Sequence, residues 1–298
     1  MSASPAVSVM IPCFNAEHSL CWAVASLLEQ TFTDWECVIV DDGSTDGTWE
    51  LLQRFDDPRI RLQRLGVNRG RGWARAAALE MATGRFIGMV DADDWIYPDK
   101  LSTQVAALER CPEAGMVSSA MAITDGSGNL IGRQGPMQDE LRAPLTRLGH
   151  ADLPHASSLL RMEVVREAGY DRTLRFSEDH DLLVKVRRRH AACILASPSY
   201  VYAQPGSMSF AKMAASYDAQ RRIYAKQLAQ EPLRVLRLTA ASIAKREVYR
   251  LVYAAGLGER LVARRWSAAS AAEVGSFERA RAIVATRATS LESALANR

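Results

Sequence analysis

The 298-residue chain is poor in the residues that build staples and metal cages. Its five cysteines (Cys13, Cys21, Cys37, Cys111, Cys193) are odd in number, widely spaced and form no CxxC pair. That pattern excludes a disulfide framework and a thiolate zinc site, and fits reduced, mostly buried thiols in a cytosolic protein. The five histidines (His18, His150, His155, His180, His190) show no HExxH or other ligand spacing. Most of them read as surface residues, and His155 lies in a region that can face a site. No run approaches the ~20 apolar residues that cross a bilayer. The first apolar run, Ala6 to Phe14, is interrupted by Ser8 and Pro12 and lacks the basic flank of a signal peptide. The expectation is a soluble cytoplasmic chain, or one resting on the inner face of the plasma membrane.

Charge of one sign is also scarce. Lys plus Arg number 37 against 34 Asp plus Glu, a net charge of +3 that does not advertise a nucleic-acid binder. The average conceals a split. Residues 230–298 hold twelve basic and six acidic residues, leaving the front with 25 basic and 28 acidic. An acidic front and a basic tail suggest parts with different jobs. The hydrophobic fraction of 48% is enough for a sizeable core.

The first hundred residues alternate between two periods. Val7 to Ile11, Trp35 to Val40, Arg59 to Leu65 and Phe86 to Val90 read as strands, the first closed by Pro12. Between and after them, Glu17 to Gln30, the segment through Leu51, Leu52 and Phe55, Gly72 to Ala82 and the stretch from Pro98 carry helical spacing. Asp46 can cap the second of these. This order predicts an α/β fold with a mostly parallel Rossmann-like sheet, in which ligands bind beyond the carboxyl ends of the strands. Further on, Met116 to Thr124 and Asn129 to Arg133 flank a turn as a hairpin, and residues 134–155 read as a polar loop near the site. Ala156 to Leu160 is strand-like, while Glu163 to Ala168 and Asp179 to Arg189 are helical. From Pro232 the pattern is purely helical. One apolar stripe runs from Leu233 to Val252, and a second passes through Phe277, Ala280, Val284 and Leu291.

Polar clusters follow three of the four early strands. Asp91-Ala92-Asp93-Asp94 can turn two carboxylates toward one hard cation, which in turn neutralises a diphosphate; the plainer reading is a cap for the helix that starts at Pro98. Asp41-Asp42 can accept hydrogen bonds from a nucleobase imide or a ribose hydroxyl, or can simply make a turn. Gly70-x-Gly72 before a helix imitates a dinucleotide fingerprint, but Arg75 occupies the third glycine position. Arg75 near that helix start can instead anchor a base or phosphate. Ser177-Glu178-Asp179-His180-Asp181 opens a helix. Its acids either complement the helix dipole or supply a general base.

Taken in order, these stretches resemble the family 2 glycosyltransferases of the GT-A fold. The resemblance is carried by Val7 to Asn15, Val40 to Thr48, Asn68 to Ala76, Gly84 to Ile87 leading into Asp91-Ala92-Asp93-Asp94, Pro98 to Leu101 and Ser177-Glu178-Asp179. Together they span about two-thirds of the chain. The resemblance implies a nucleotide-sugar donor, UDP-linked by preference, and inverting transfer to a glycan, lipid-linked or other envelope acceptor. It implies that Pro12, Phe14, Asn15, Asp41, Asp42, Arg75, Asp91 and Ala92 hold the donor. Asp91 and Asp93 would hold Mg²⁺ or Mn²⁺, and Asp179 would take the acceptor proton. Glu178, Asp94, His155 and Gln204 are secondary candidates.

Three departures stand out. Phe14 replaces the commoner Tyr, Ala76 stands where many relatives have Asn, and Tyr202 and Gln204 occupy the Arg and His places of a later Arg-x-His-Pro-Gly-Ser-x-Ser segment. The QxxRW motif of processive synthases is absent, which favours single addition. A sugar-nucleotide pyrophosphorylase would carry a GxGTR-like loop where this chain has Pro12-Cys13-Phe14-Asn15. A nucleotide- or glycan-binding pseudoenzyme is opposed by Asp91, Asp93 and Asp179 and kept open by Gln204. The expected division is a catalytic domain over 1–210 and a helical extension over 211–298, the latter packing, dimerising or docking on a membrane surface.

Overall fold

The fold was obtained as a computed structural model, which describes residues 4–149, 153–203, 209–258 and 266–296. A sheet runs through the molecule in the order β3-β2-β1-β4-β9-β6-β10-β5. Its strands are β1 (Val7–Cys13), β2 (Trp35–Asp41), β3 (Ile60–Arg64), β4 (Phe86–Met89), β5 (Trp95–Ile96), β6 (Ala114–Thr124), β9 (Ser158–Arg161) and β10 (Ala191–Ala203). β7 (Leu130–Gln134) pairs with β6, and β8 (Glu140–Arg142) with β10. The first four strands are parallel, and β10 runs parallel to β6. β9 lies antiparallel between β4 and β6.

The strands are apolar on both faces because both faces are covered. Val7, Val9 and Ile11 of β1 face one core with Leu20, Val24 and Leu27 of α1 (Leu20–Leu28) and Leu101, Val105 and Leu108 of α4 (Lys100–Arg110). Met10, Val38 and Val40 face the other. There they meet α3 (Arg71–Met81), α5 (Met162–Ala168) and α6 (Glu178–Arg187). Ala74, Ala77 and Ala78 let α3 lie close against β1 and β2. A short α2 (Thr48–Leu52) follows β2, and Asp46 accepts the amide of Thr48 at its start.

β1 has β2 on one side and β4 on the other: the chain steps outward from β1 through β2 to β3, and the connection after β3 returns past β1 to place β4 on its far side. A crevice opens at such a switch point, beyond the carboxyl ends of the strands. Because β9 runs antiparallel, the loop before it, with His155, reaches that same edge.

Among the described residues three helices follow the sheet: α7 (Phe210–Ala225), α8 (Pro232–Ala254) and α9 (Ala271–Ala296). α9 packs on α1, and its Phe277, Ala280, Val284 and Ala288 join Trp95, Tyr97, Ala25 and Trp22 in one cluster. Arg133 of β7, itself buried, pairs with Glu273 at 2.8 Å and fastens the start of this helix. α7 and α8 form a hairpin against α6.

Several expectations are corrected. The 134–155 segment contains a strand, β8, held by β10. β10 and α7 carry no clear period in the sequence, and both are regular elements. The Leu233–Val252 stripe does not line a core, since Leu233, Leu236, Ile243, Val248 and Leu251 are exposed. His180 is buried, like His155, and not a surface residue.

Candidate functional site

The ends of β1 and β2 are knitted together. Asn15 adopts a left-handed conformation (φ 52°), which asparagine tolerates better than most residues. Its amide donates to Ser44 Oγ at 2.9 Å, and its Oδ1 accepts the Thr45 amide at 2.9 Å. Pro12 pairs opposite Val40, and Phe14 stands 44% exposed between Cys13 and Asn15. Asp41 is fully buried; its Oδ1 accepts the Ser44 amide at 3.0 Å and its Oδ2 lies 3.2 Å from Arg64 Nε. Asp42 accepts the amides of Arg69 (2.9 Å) and Gly70 (2.7 Å), one on each carboxylate oxygen. That approach requires Gly43 (φ 71°), where a Cβ would come within 2.7 Å of the Val67 backbone. Burial, then Asp41, Asp46 and Asp42, pushes the Cys13 thiol up to about 12, so it is no nucleophile at neutral pH.

The end of β4 is arranged differently. Asp94 is buried; it accepts Tyr200 Oη–H at 2.6 Å and the Ala203 amide at 2.8 Å. Tyr200 Oη in turn accepts the Asp91 amide at 3.1 Å. Asp94 and Tyr200 thus clamp the acidic loop to the end of β10. Ala92 is buried, while Asp93 is exposed. α4 starts only at Lys100, with Asp99 at its cap position, so the acidic loop does not cap it.

Desolvation, then the charge of Asp91, raises the pKa of Asp93. Two crowded carboxylates are the donor set that a hard cation relieves. Among the described residues no group of three or more His, Cys, Asp or Glu could hold a metal by itself. Asp91 and Asp93 nevertheless fit Mg²⁺ or Mn²⁺ in the manner of sites that take one or two carboxylates and leave the other positions to substrate phosphates and water.

Arg75 joins the two sides of the crevice. Only 2% exposed, it donates from Nη1 to Glu178 Oε1 at 2.6 Å and from Nη2 to Asp91 Oδ1 at 3.4 Å. Burial alone would lower its pKa, but Glu178, Asp91 and Asp179 outweigh it and hold the guanidinium charged. Beside Glu178, Asp179 accepts the His180 amide at 2.8 Å. Burial would raise its carboxyl, but Arg75, then His155 and that amide, prevail and keep it below the ordinary range. Ser177, with φ 59°, turns the chain into α6, and its hydroxyl lies 2.7 Å from Ser216 Oγ of α7. His155 is buried, with Nε2 2.9 Å from Tyr170 Oη and no hydrogen-bond partner on Nδ1 among the described residues. Burial, then Arg75, pushes its pKa down to about 4, so it is neutral at pH 7.

Asp91, Arg75, Glu178, Asp179 and His155 therefore share one electrostatic cluster, with Asp93 at its lip. Asp41, Asp42 and Asp94 spend their carboxylates on the protein. Gln204 lies outside the described residues. Tyr200 and Tyr170 are not singled out by the sequence. Tyr200 sits in β10, which lacked a clear signal, and the Arg75–Glu178 contact spans 103 residues. Behind the acidic loop, buried Lys100 donates to Gln104 Oε1 at 2.7 Å, and Gln104 Nε2 donates to Ser157 O at 2.7 Å, two residues after His155. A separate cleft of ≈ 420 Å³ lies between α9 and the loop before β3, away from this cluster.

Comparison with known proteins places the chain among glycosyltransferases. The model of the family described as Glycosyl transferase family 2 matches residues 8–169. The E. coli protein "UDP-Glc:alpha-D-GlcNAc-diphosphoundecaprenol beta-1,3-glucosyltransferase WfgD" is 38% identical over 102 residues, which are 34% of this chain and 40% of WfgD. The match spans 40% to 63% of the length of the first three curated relatives. Among solved structures, S. aureus TarS 1–349 in complex with UDP-GlcNAc superposes with a TM-score of 0.63 at 21% identity, covering 80% of this chain and 71% of that one. Mannosyltransferase PcManGT from Pyrobaculum calidifontis, in complex with GDP-Man and Mn2+, gives 0.57 at 18% identity, covering 97% and 88%. At these identities the structural likeness concerns the fold.

Proposed function

Because this chain belongs to glycosyl transferase family 2, we propose that it transfers a sugar from a nucleotide-diphosphate donor to a hydroxyl of a glycan or lipid-linked acceptor in cell-envelope polysaccharide synthesis. UDP is the favoured nucleotide, in keeping with the UDP-Glc and UDP-GlcNAc in the names of WfgD and the TarS complex. The observation that carries the reading is the double engagement of Arg75. It ties the acidic loop after β4 to the first turn of α6, so that Asp91 and Asp179 serve one crevice.

In this reading residues 1–210 carry the chemistry. Pro12, Phe14 and Asn15 line the nucleotide side, and Asp41 and Asp42 hold the backbone that shapes it. Asp91 and Asp93, with Ala92 between them, face the diphosphate and would hold Mg²⁺ or Mn²⁺. When bound, that cation neutralises charge on the departing diphosphate, and the Mn2+ of the PcManGT complex supports its use. Asp179, kept ionised by Arg75, accepts the acceptor hydroxyl proton as that oxygen bonds to the anomeric carbon. The bond from that carbon to the diphosphate oxygen breaks, its electron pair leaves with the nucleoside diphosphate, and configuration inverts. Residues 211–298 support this unit and meet other partners.

A panel of UDP- and GDP-sugars with Mn²⁺, scored for nucleoside diphosphate release, tests the reading. Release that needs the metal is expected, even as slow hydrolysis without acceptor. No release and no thermal shift with any nucleotide would overturn it. Asp179→Asn should lower transfer roughly 10²- to 10⁴-fold while donor affinity stays near wild type. Equal loss of both would remove Asp179 as the base.

A further inference from the structure

α8 buries one face and leaves the opposite one bare. Val235, Leu238 and Ser242 turn inward, the first two meeting Leu148, Val184 and Tyr224, while the rings of Tyr249 and Tyr253 lie tilted against Tyr217 and Phe210 of α7. On the other side Leu233, Leu236, Ile243, Val248 and Leu251 are all exposed, Leu233 to 73% and Leu251 to 64%, with exposed Ala240 and Ala244 between them. Their helical spacing makes one stripe from Leu233 to Leu251 of this 23-residue helix, roughly 27 Å long. An apolar stripe of this length on a surface marks an interaction face.

The charges around the stripe say what it meets. α8 carries Arg234, Arg237, Lys245, Arg246 and Arg250 against Glu247 alone. Arg246 pairs with Asp218 of α7 and Arg250 with Glu247, while Arg237 and Lys245 are exposed. A twofold contact with a second copy would set this cationic excess against itself. An anionic lipid surface instead accepts the stripe among its acyl chains and the cations at its headgroups. We infer that the outward face of α8 docks on an anionic phospholipid membrane. The face lies outside the crevice, so the inference does not rest on the transfer reading. The same hairpin is nonetheless braced on the first turn of α6, through Ser177 to Ser216 and the His180 ring edge-on to Tyr224.

Sedimentation of the full chain with vesicles tests the docking. Binding is expected with equimolar phosphatidylglycerol and phosphatidylcholine, weak binding with phosphatidylcholine alone, and release at high salt. Leu236→Glu/Leu251→Glu should lower the bound-to-free ratio roughly tenfold or more. Arg237→Glu/Lys245→Glu should lower it chiefly at low salt. All four side chains are exposed, so circular dichroism melts should match wild type. No binding to the anionic vesicles, or unchanged binding by the leucine variant, would overturn the inference. Light scattering that shows a dimer lost in the leucine variant would assign the face to a second copy and overturn it as well. Donor hydrolysis without vesicles should be equal in all three proteins. Its absence in wild type would strike the transfer reading and leave the docking standing.

Discussion

Two strand ends of one sheet carry clustered aspartates, Asp41-Asp42 after β2 and Asp91-x-Asp93-Asp94 after β4, and the protein uses them in opposite ways. At the first, Ser44, Arg64, Arg69 and Gly70 occupy the carboxylate oxygens, and the acids act as mortar for the loops that follow. At the second, Asp94 is consumed in this way. Asp91 is shared with a buried arginine, and Asp93 stands exposed. An acid after a buried strand is therefore not yet a site. What separates the two is whether a neighbouring backbone comes close enough to claim the carboxylate.

The sharpest break between them should appear in Asp93→Asn. Loss of one of the two carboxylates proposed to face the diphosphate should cut turnover by roughly 10²-fold or more, with a melting temperature close to wild type in calorimetry. A destabilised but fully active variant would place Asp93 with the structural acids. The reverse pattern is expected for Asp42→Asn, which keeps one acceptor oxygen for two amides. It should lose about 2 kcal/mol in urea unfolding and bind donor less well only as a consequence. Full stability with abolished donor binding would erase the distinction drawn here.

The most gradual effect, about 1.4 kcal/mol for each pH unit, tests what lies behind the second strand end. Burial lowers the pKa of Lys100 from 10.5 to about 7. Between those values the unfolded chain holds a proton that the folded chain lacks, so stability should rise with pH across that window. The cost of burying the charge is fully present below pH 7. Relative to Lys100→Met, wild type should gain up to ~1.4 kcal/mol per pH unit above neutrality. Parallel pH curves for the two proteins would mean that Lys100 is not desolvated as its surroundings imply.

Much of this was legible in the sequence. Buried parallel strands announce themselves by β-branched runs, and the acid clusters mark their ends, so the order of β1 to β4 and the candidates at their tips could be read directly. β10 could not, because Ser197, Pro198 and Ser199 interrupt its apolar run, and the pairing with β6 shifts register there. Periodicity revealed the stripe on α8 but not its direction, since a stripe facing out has the same spacing as one facing in. The Arg75–Glu178–Asp91 link was beyond any local pattern. His155 is a candidate already in the sequence, and what brings it to the crevice is one antiparallel strand among parallel neighbours.

The contact of α9 with the front of the sheet also has a consequence in time. Trp95, the residue after Asp94, has Phe277 as a ring neighbour at 5.7 Å between centroids. At roughly 5–20 residues per second of synthesis, the ~180 residues between them take about ten to forty seconds to emerge. For that interval Trp22, Trp95 and Tyr97 wait beside the acidic loop without their last covering ring. The aromatic cluster at this end of the sheet can therefore close only once α9 has been made.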